Sequence, residues 1–379
     1  MKLYYNLTVI GFILLSCCIQ TKHSELPELP VEINDNISFP LSEIAEDITS
    51  IELEITDKSL INPDAVIRFL ITEDNIIVAE TLIGGSSKVL VFNKKGKFIR
   101  SIGSRGQGPG EYNYISNVAF DDKNKRIFIV TFNPNKIICY HLDGKFLKES
   151  LLSRSQNYED INYINDGLFL VYTDSRYQGT KRAKRILNCM DDSFQLTDSI
   201  VCWENYYERN YHGVALGDWI VKKSTSVYFY SPEVYPKWSA PEVKVLRDTL
   251  YRLENNQLVP ELKLKFKNDG FDSAGDKIID LYNIFRASRY VFAIYEINPN
   301  NTQRNTDIKK KYYFCYDLKT GKGYNMLDGF TDDINGIEKR VRIRPLHTDS
   351  DIFYYWHTNM KPDDREEPNP TLYVIKLKK

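Results

Sequence analysis

One pattern constrains this 379-residue chain more than any other: a β-hairpin that comes back. Residues 88–102 (KVLVFNKKGKFIRSI) set two β-rich runs on either side of Asn93-Lys94-Lys95-Gly96, a tight turn with glycine where a positive φ is wanted. Residues 136–151 (KIICYHLDGKFLKESL) repeat it with Asp143-Gly144, residues 248–264 with Asn255-Asn256, and residues 312–326 with Thr320-Gly321. A second element stands upstream of the hairpin. Residues 66–80 (VIRFLITEDNIIVAE), 115–130 (ISNVAFDDKNKRIFIV) and 161–172 (INYINDGLFLVY) each read as a short strand, a polar turn and a strongly apolar strand. Joined, the two elements give four strands per unit. Gly96 and Gly144 lie 48 residues apart, which is the spacing of propeller blades.

Strand groups fall near 66–102, 115–151, 161–201, 211–266, 277–327 and 338–377. The last is one strand short, and Ile48 to Ile55 (ITSIELEI) is a strand with no partner of its own. Placing that strand at the outer edge of the last group closes the ring and protects its edges. The expected fold is therefore all-β: a six-bladed β-propeller over 41–379, with four-stranded antiparallel blades and an N-terminal strand completing the last. The third to fifth units are degenerate, so the pattern alone leaves five or seven blades open. An aromatic content of 13% suits pleated, half-buried surfaces.

The N-terminus reads as a targeting segment. Lys2 precedes an apolar run, Leu7 to Leu15, too short to span a bilayer and the right length for a secretory h-region. Leu14-Leu15-Ser16-Cys17 resembles the bacterial lipobox, which implies removal of residues 1–16 and a lipid on Cys17; an ordinary cleaved signal peptide is the alternative. Residues 17–40, with Pro27, Pro30 and Pro40 among polar residues, read as a flexible tether. Export permits disulfides. Cys139, Cys189, Cys202 and Cys315 are widely spaced without a CxxC pair, which argues against zinc. They read as buried thiols, with a Cys189–Cys202 bridge left open. The net charge of −1, with both signs interspersed, excludes the electrostatic footprint of a nucleic-acid binder.

Residues 103–112 (GSRGQGPGEY) are the most glycine-rich stretch. A phosphate loop needs a lysine after the glycines and a helix behind it; neither follows here. Gly106, Gly108, Pro109, Gly110, Glu111 and Tyr112 suit a turn crossing from the outer edge of one blade to the inner strand of the next. With the strands that follow it, this stretch resembles an NHL-type repeat, and more closely the six-bladed propeller lipoproteins of Bacteroidetes, whose hallmark is GQGPGEY. SIELEITDKSLI (50–61), DTLYRLENN (248–256) and GFTDDING (329–336) fit the same family, as its opening strand, central hairpin and late acidic turn. The resemblance implies a cell-envelope propeller anchored to the outer membrane and little about chemistry. The absence of an acidic run beside Cys17 points to the periplasmic side.

A propeller binds where loops from several blades converge, and the site has to be argued from residues. WENYYERNYH (203–212) gathers Trp203, Tyr206, Tyr207, Arg209 and His212, with Trp219 and Trp238 nearby; rings interleaved with polar groups suit a glycan or peptide, or pack between blades. Arg286 and Arg289 flank a strand start and face the channel or its rim. Asp332-Asp333 is the best carboxylate pair, able to bind a cation or serve as acid and base, or to make a turn. The histidines show no metal-ligand spacing. The reading is a binding or scaffolding module for a glycan, peptide or envelope protein, without cofactor or metal. The alternative is a gluconolactonase-like or streptogramin-lyase-like enzyme with a divalent cation in the channel.

Overall fold

The structure is a computed structural model that describes residues 26–33, 38–62, 65–81, 87–153, 156–164, 166–175, 182–206, 218–223, 226–232, 242–243, 248–267, 278–297, 310–346, 349–358 and 368–379. Its apolar runs form strands packed on both faces. Asn75–Thr81, Lys88–Asn93 and Arg126–Phe132 are buried almost without interruption, the pattern of strands covered on two sides rather than one. Outer strands such as Phe98–Ile102 are only partly buried.

Six sheets result. Blade 1 runs Val66–Ile71, Asn75–Thr81, Lys88–Asn93, Phe98–Ile102; blade 2 runs Tyr114–Asp121, Arg126–Phe132, Lys136–His141, Phe146–Leu151. Blade 3 runs Gln156–Ile164, Gly167–Ser175, Arg182–Met190, Leu196–Tyr206; blade 4 runs Ile220–Lys223, Ser226–Phe229, Thr249–Glu254, Gln257–Phe266. Blade 5 runs Ile279–Arg286, Tyr290–Ile297, Lys310–Asp317, Lys322–Leu327. Blade 6 runs Arg344–Leu346, Asp349–His357, Thr371–Leu377, and its outermost strand is Ala45–Glu52, antiparallel to Thr371–Leu377. This is the six-bladed β-propeller, with the N-terminal strand closing the last blade. A 3-10 turn spans Leu41–Glu43.

Apolar clusters fill the seams. Blade 1 packs on blade 2 through Leu70, Val91, Val118 and Ile129. Blade 6 packs back onto blade 1 through Leu372, Tyr354, Phe69 and Phe92. The ring closes by hydrogen bonding too: Glu54 N donates to Gly96 O at 2.8 Å. Gly96 has φ +77, and a Cβ there would lie 1.8 Å from Glu52 O, so glycine serves both the turn and the closure. At the blade 4 turn Asn255 and Asn256 both take positive φ (47° and 57°), as a two-residue hairpin loop requires.

Two features depart from the sequence reading. Glu28–Val31, expected in the flexible tether, is a fifth strand of blade 4, parallel to Gln257–Phe266. Leu29 and Val31 point into the blade 3–5 core, and Pro30, which cannot donate, points out of an edge where no donor is needed. Blade 3 likewise gains Glu242–Val243 outside Leu196–Tyr206. Cys189 and Cys202 are free, as are Cys139 and Cys315. Cys189 stands opposite Asp198 in the ladder, four residues short of Cys202, and burial pushes the Cys202 thiol up to about 12.

Candidate functional site

The inner strands carry a repeated device. In blades 2, 3 and 5 the register slips by one, at Ser116, Glu159 and Tyr282, and an Asx residue follows each bulge. Asn117, Asp160 and Asn283 each accept from the next backbone N–H, those of Val118, Ile161 and Ile284, at 2.8–2.9 Å. These side chains meet at the axis. Arg68 of blade 1 reaches across to Asp160 at 3.2 Å and to Asp218, at the threshold of blade 4, at 3.3 Å. Asn117 Nδ2 donates to Asp160 at 3.1 Å and Asn283 Nδ2 to Asp218 O at 3.0 Å. Trp219 N and Ile220 N also donate to Asp160. Tyr354 of blade 6 lies in the fields of Asp218 and Arg68, its hydroxyl pushed up to about 12, chiefly by burial. One group from every blade therefore converges on a single buried polar hub.

Burial works against the charge on Arg68, and the carboxylates of Asp218 and Asp160 outweigh it, holding the guanidinium above its usual value. A buried charge persists only when paired and hydrogen-bonded in this way. A second buried pair adjoins the hub. Glu159 and Arg185 meet at 3.1 Å, both fully buried, with the Arg185 guanidinium 4.6 Å from the Trp219 ring and 5.3 Å from that of Trp203.

Below the hub, the ends of the first strands of blades 1, 2, 3, 4 and 6, with the turns that follow them in blades 1 to 3, surround a funnel of about 720 Å³. Side chains two residues apart share a strand face. From the hub outward the layers read Arg68, Leu70, Thr72 in blade 1; Asp160, Asn162, Ile164 in blade 3; and Asp218, Ile220, Lys222 in blade 4. Leu70, Ala119, Asn162 and Leu346 line the floor, and Asn162 Nδ2 ties it to the hub through Asp160 at 3.4 Å. The rim is charged. Asp121 is held by Arg126 at 2.6 Å, and Arg126 also grips Asp192 and lies over the stacked rings of Phe128 and Tyr163. Asp122 pairs with Lys125 at 2.7 Å and Asp166 with Lys123 at 3.5 Å.

The residues singled out from sequence scatter. Trp203 is buried in blade 3 against Arg185. Tyr206 ends its strand, its backbone opposite Arg182. Tyr207, Arg209, His212 and Trp238 fall outside the described residues. Arg286 ends the inner strand of blade 5 close to Tyr228. Arg289 turns away from the axis to bind Asp317 through Nε at 3.0 Å and Nη2 at 2.6 Å. Asp332 and Asp333 do not act together. Asp332 accepts from Tyr355 and Asn335 inside the turn, while Asp333 accepts from Ser42 N and Oγ. The hub and funnel were missed, although a signal existed. Asn117-Val118, Asp160-Ile161, Asp218-Trp219 and Asn283-Ile284 repeat an Asx–apolar pair at corresponding places of four units.

The GQGPGEY stretch is a clasp between blades 1 and 2. Ser104–Arg105 pairs in parallel with Glu111–Tyr112. The Tyr112 hydroxyl donates to Ile102 O at 2.6 Å and accepts from Val89 N at 3.2 Å. Gly108 N donates to Glu111 and Gly110 N to Glu149, each at 2.9 Å, and buried Lys136 bridges Glu149 and Gly108 O. Gly110, at φ +73, sits where a Cβ would come within 2.9 Å of the Phe146 ring.

No curated protein matches the sequence significantly. Among solved structures, the chain is similar to a protein of Bacteroides fragilis presumed to be exported, at 19% identity and a TM-score of 0.59, covering 93% of this chain and 99% of that one. It is also similar to a member of the DUF4221 family from Bacteroides vulgatus, at 9% identity and a TM-score of 0.50, covering 88% and 97%. At these identities the likeness speaks for the fold alone. Residues 26–377 match the family described as a domain of unknown function, DUF4934, so nearly the whole propeller is accounted for, and the chain belongs to that family.

Proposed function

We propose that this protein is a lipid-anchored envelope protein of the NHL-like propeller type, held by Cys17 on the periplasmic side of the outer membrane, that binds a ligand without transforming it. The observation that carries the binding reading is the funnel. It has an apolar floor, a charged rim and a volume of about 720 Å³, and Asn162 on that floor donates to Asp160 of the hub, where Arg68 engages both Asp160 and Asp218. Concave sites with apolar walls and a few placed polar groups are where small ligands and peptide segments bind. The carboxylates nearest the axis, Asp160 and Asp218, are both engaged by Arg68. A channel cation would have to displace that guanidinium, which makes the enzyme alternative the weaker reading. Anchoring rests on the Leu14–Cys17 motif and on the fold shared with a Bacteroides protein presumed to be exported.

The test is a ligand panel. The mature chain from position 17, with Cys17→Ser to keep it unlipidated, is labelled at its leucine methyls and titrated with oligosaccharides and short peptides. A ligand that binds in the funnel shifts the Leu70 and Leu346 signals. Binding that leaves both unmoved places the site elsewhere and sinks the funnel reading. In cells, Cys17→Ala moves the protein from the membrane fraction to the soluble one; unchanged membrane retention would remove the anchor.

A further inference from the structure

The funnel's charges are not all spent internally. Asp121, Asp122 and Asp166 are matched by Arg126, Lys125 and Lys123. Lys222, at the end of the inner strand of blade 4, lines the same funnel and has no carboxylate within ion-pair distance among the described residues. It is half-buried and lines the same funnel as Leu70 and Leu346. A flexible stem bearing a point charge suits a single anionic group. A phosphate or other multiply charged group would want more cations and an arginine fork, and exposed Glu73 on the blade 1 side, without an ion pair among the described residues, disfavours a second negative charge. Next to Lys222 the floor offers Leu70 and Leu346 for an apolar stem. Asn162, its Nδ2 committed to Asp160, has its Oδ1 left to accept a hydrogen bond.

We propose that the funnel receives a ligand with one free carboxylate on an apolar stem, with Lys222 as its counter-ion. This rests on the funnel being the binding site. Two sources share that chemistry: the C-terminus of a short apolar peptide and a fatty acid. The peptide is the better fit, because only it brings an N–H for Asn162.

The experiment titrates the same labelled mature chain with acetyl-Ala-Ala-Leu as the free acid, with the same tripeptide as its C-terminal amide, and with octanoate. The acid binds and shifts the Leu70 and Leu346 methyls. The amide binds at least about tenfold more weakly, the scale of one charge-assisted contact. Lys222→Met abolishes that preference and Lys222→Arg retains it, so loss of folding is not mistaken for loss of recognition. Octanoate binding as tightly as the peptide keeps the carboxylate assignment and transfers the source to a lipid. Equal binding of acid and amide overturns the proposal, as does a preference that survives Lys222→Met, or no binding of the acid at millimolar concentration. Funnel methyl shifts seen only with ligands that lack a carboxylate would leave the binding site standing while the carboxylate claim falls. Acid binding that moves neither methyl would remove the site itself.

Discussion

Single residues in this propeller are chosen by what they hold. Asp317 shows it most directly. The hydrogen bonds from Arg289 keep its carboxyl down at about 2, against the partial desolvation that would raise it. Its unfolded value is about 3.9. A depressed carboxyl contributes stability that is complete above the unfolded value and lost as pH falls through the folded one. The difference in thermal midpoint between wild type and Asp317→Asn should therefore be largest above about pH 4 and shrink between 4 and 2. Two curves that stay parallel over that window would show that the pair contributes nothing. The same logic places Asp333 on Ser42 and Asp332 on Tyr355: adjacent acids, each occupied by a different neighbour, and neither positioned to share an ion.

At the scale of elements, what matters is which edge a strand finds. Turns were legible because they are local. Asn255-Asn256 and Gly96 advertise positive φ in the residues themselves. The partner of Glu28–Val31 was not legible. Four residues with two prolines nearby read as linker, and only the exposed edge of blade 4, more than 200 residues away, turns their alternating Leu29 and Val31 into a buried face. Leu29→Asp should release this strand, since burying the leucine contributes about 1.5–3 kcal/mol. Hydrogen exchange at Lys263 N, which donates to Pro27 O at 2.8 Å, should quicken while blade 1 amides stay protected. Unchanged protection there would mean the strand does not hold the edge.

For the whole molecule, the hub is what a ring adds to six sheets. Arg68 draws on blades 3 and 4 from blade 1, so its bonds exist only when the circle is closed. Arg68→Met should destabilise the protein by about 3–5 kcal/mol, because buried Asp160 and Asp218 would both lose the guanidinium they share. Thermal unfolding measures it. A loss under about 1 kcal/mol would mean that solvent already reaches those carboxylates and the axis is not sealed. The funnel and its carboxylate-binding lysine depend on the same seal, since a floor that leaks would leave Lys222 facing a water-filled channel.

The sequence by itself determined the blade: strand, turn, strand, at propeller spacing, with a spare N-terminal strand to finish the last sheet. Those features are short-range, carried by backbone preferences within a dozen residues and by the alternation of side chains. Which residues would face one another across the axis was decided only by tertiary structure. Arg68, Asn117, Asp160, Asp218, Asn283 and Tyr354 lie tens of residues apart, and nothing local distinguishes a polar residue aimed at the axis from one aimed at solvent. Ring closure, by removing water from the middle, gives those six their common role.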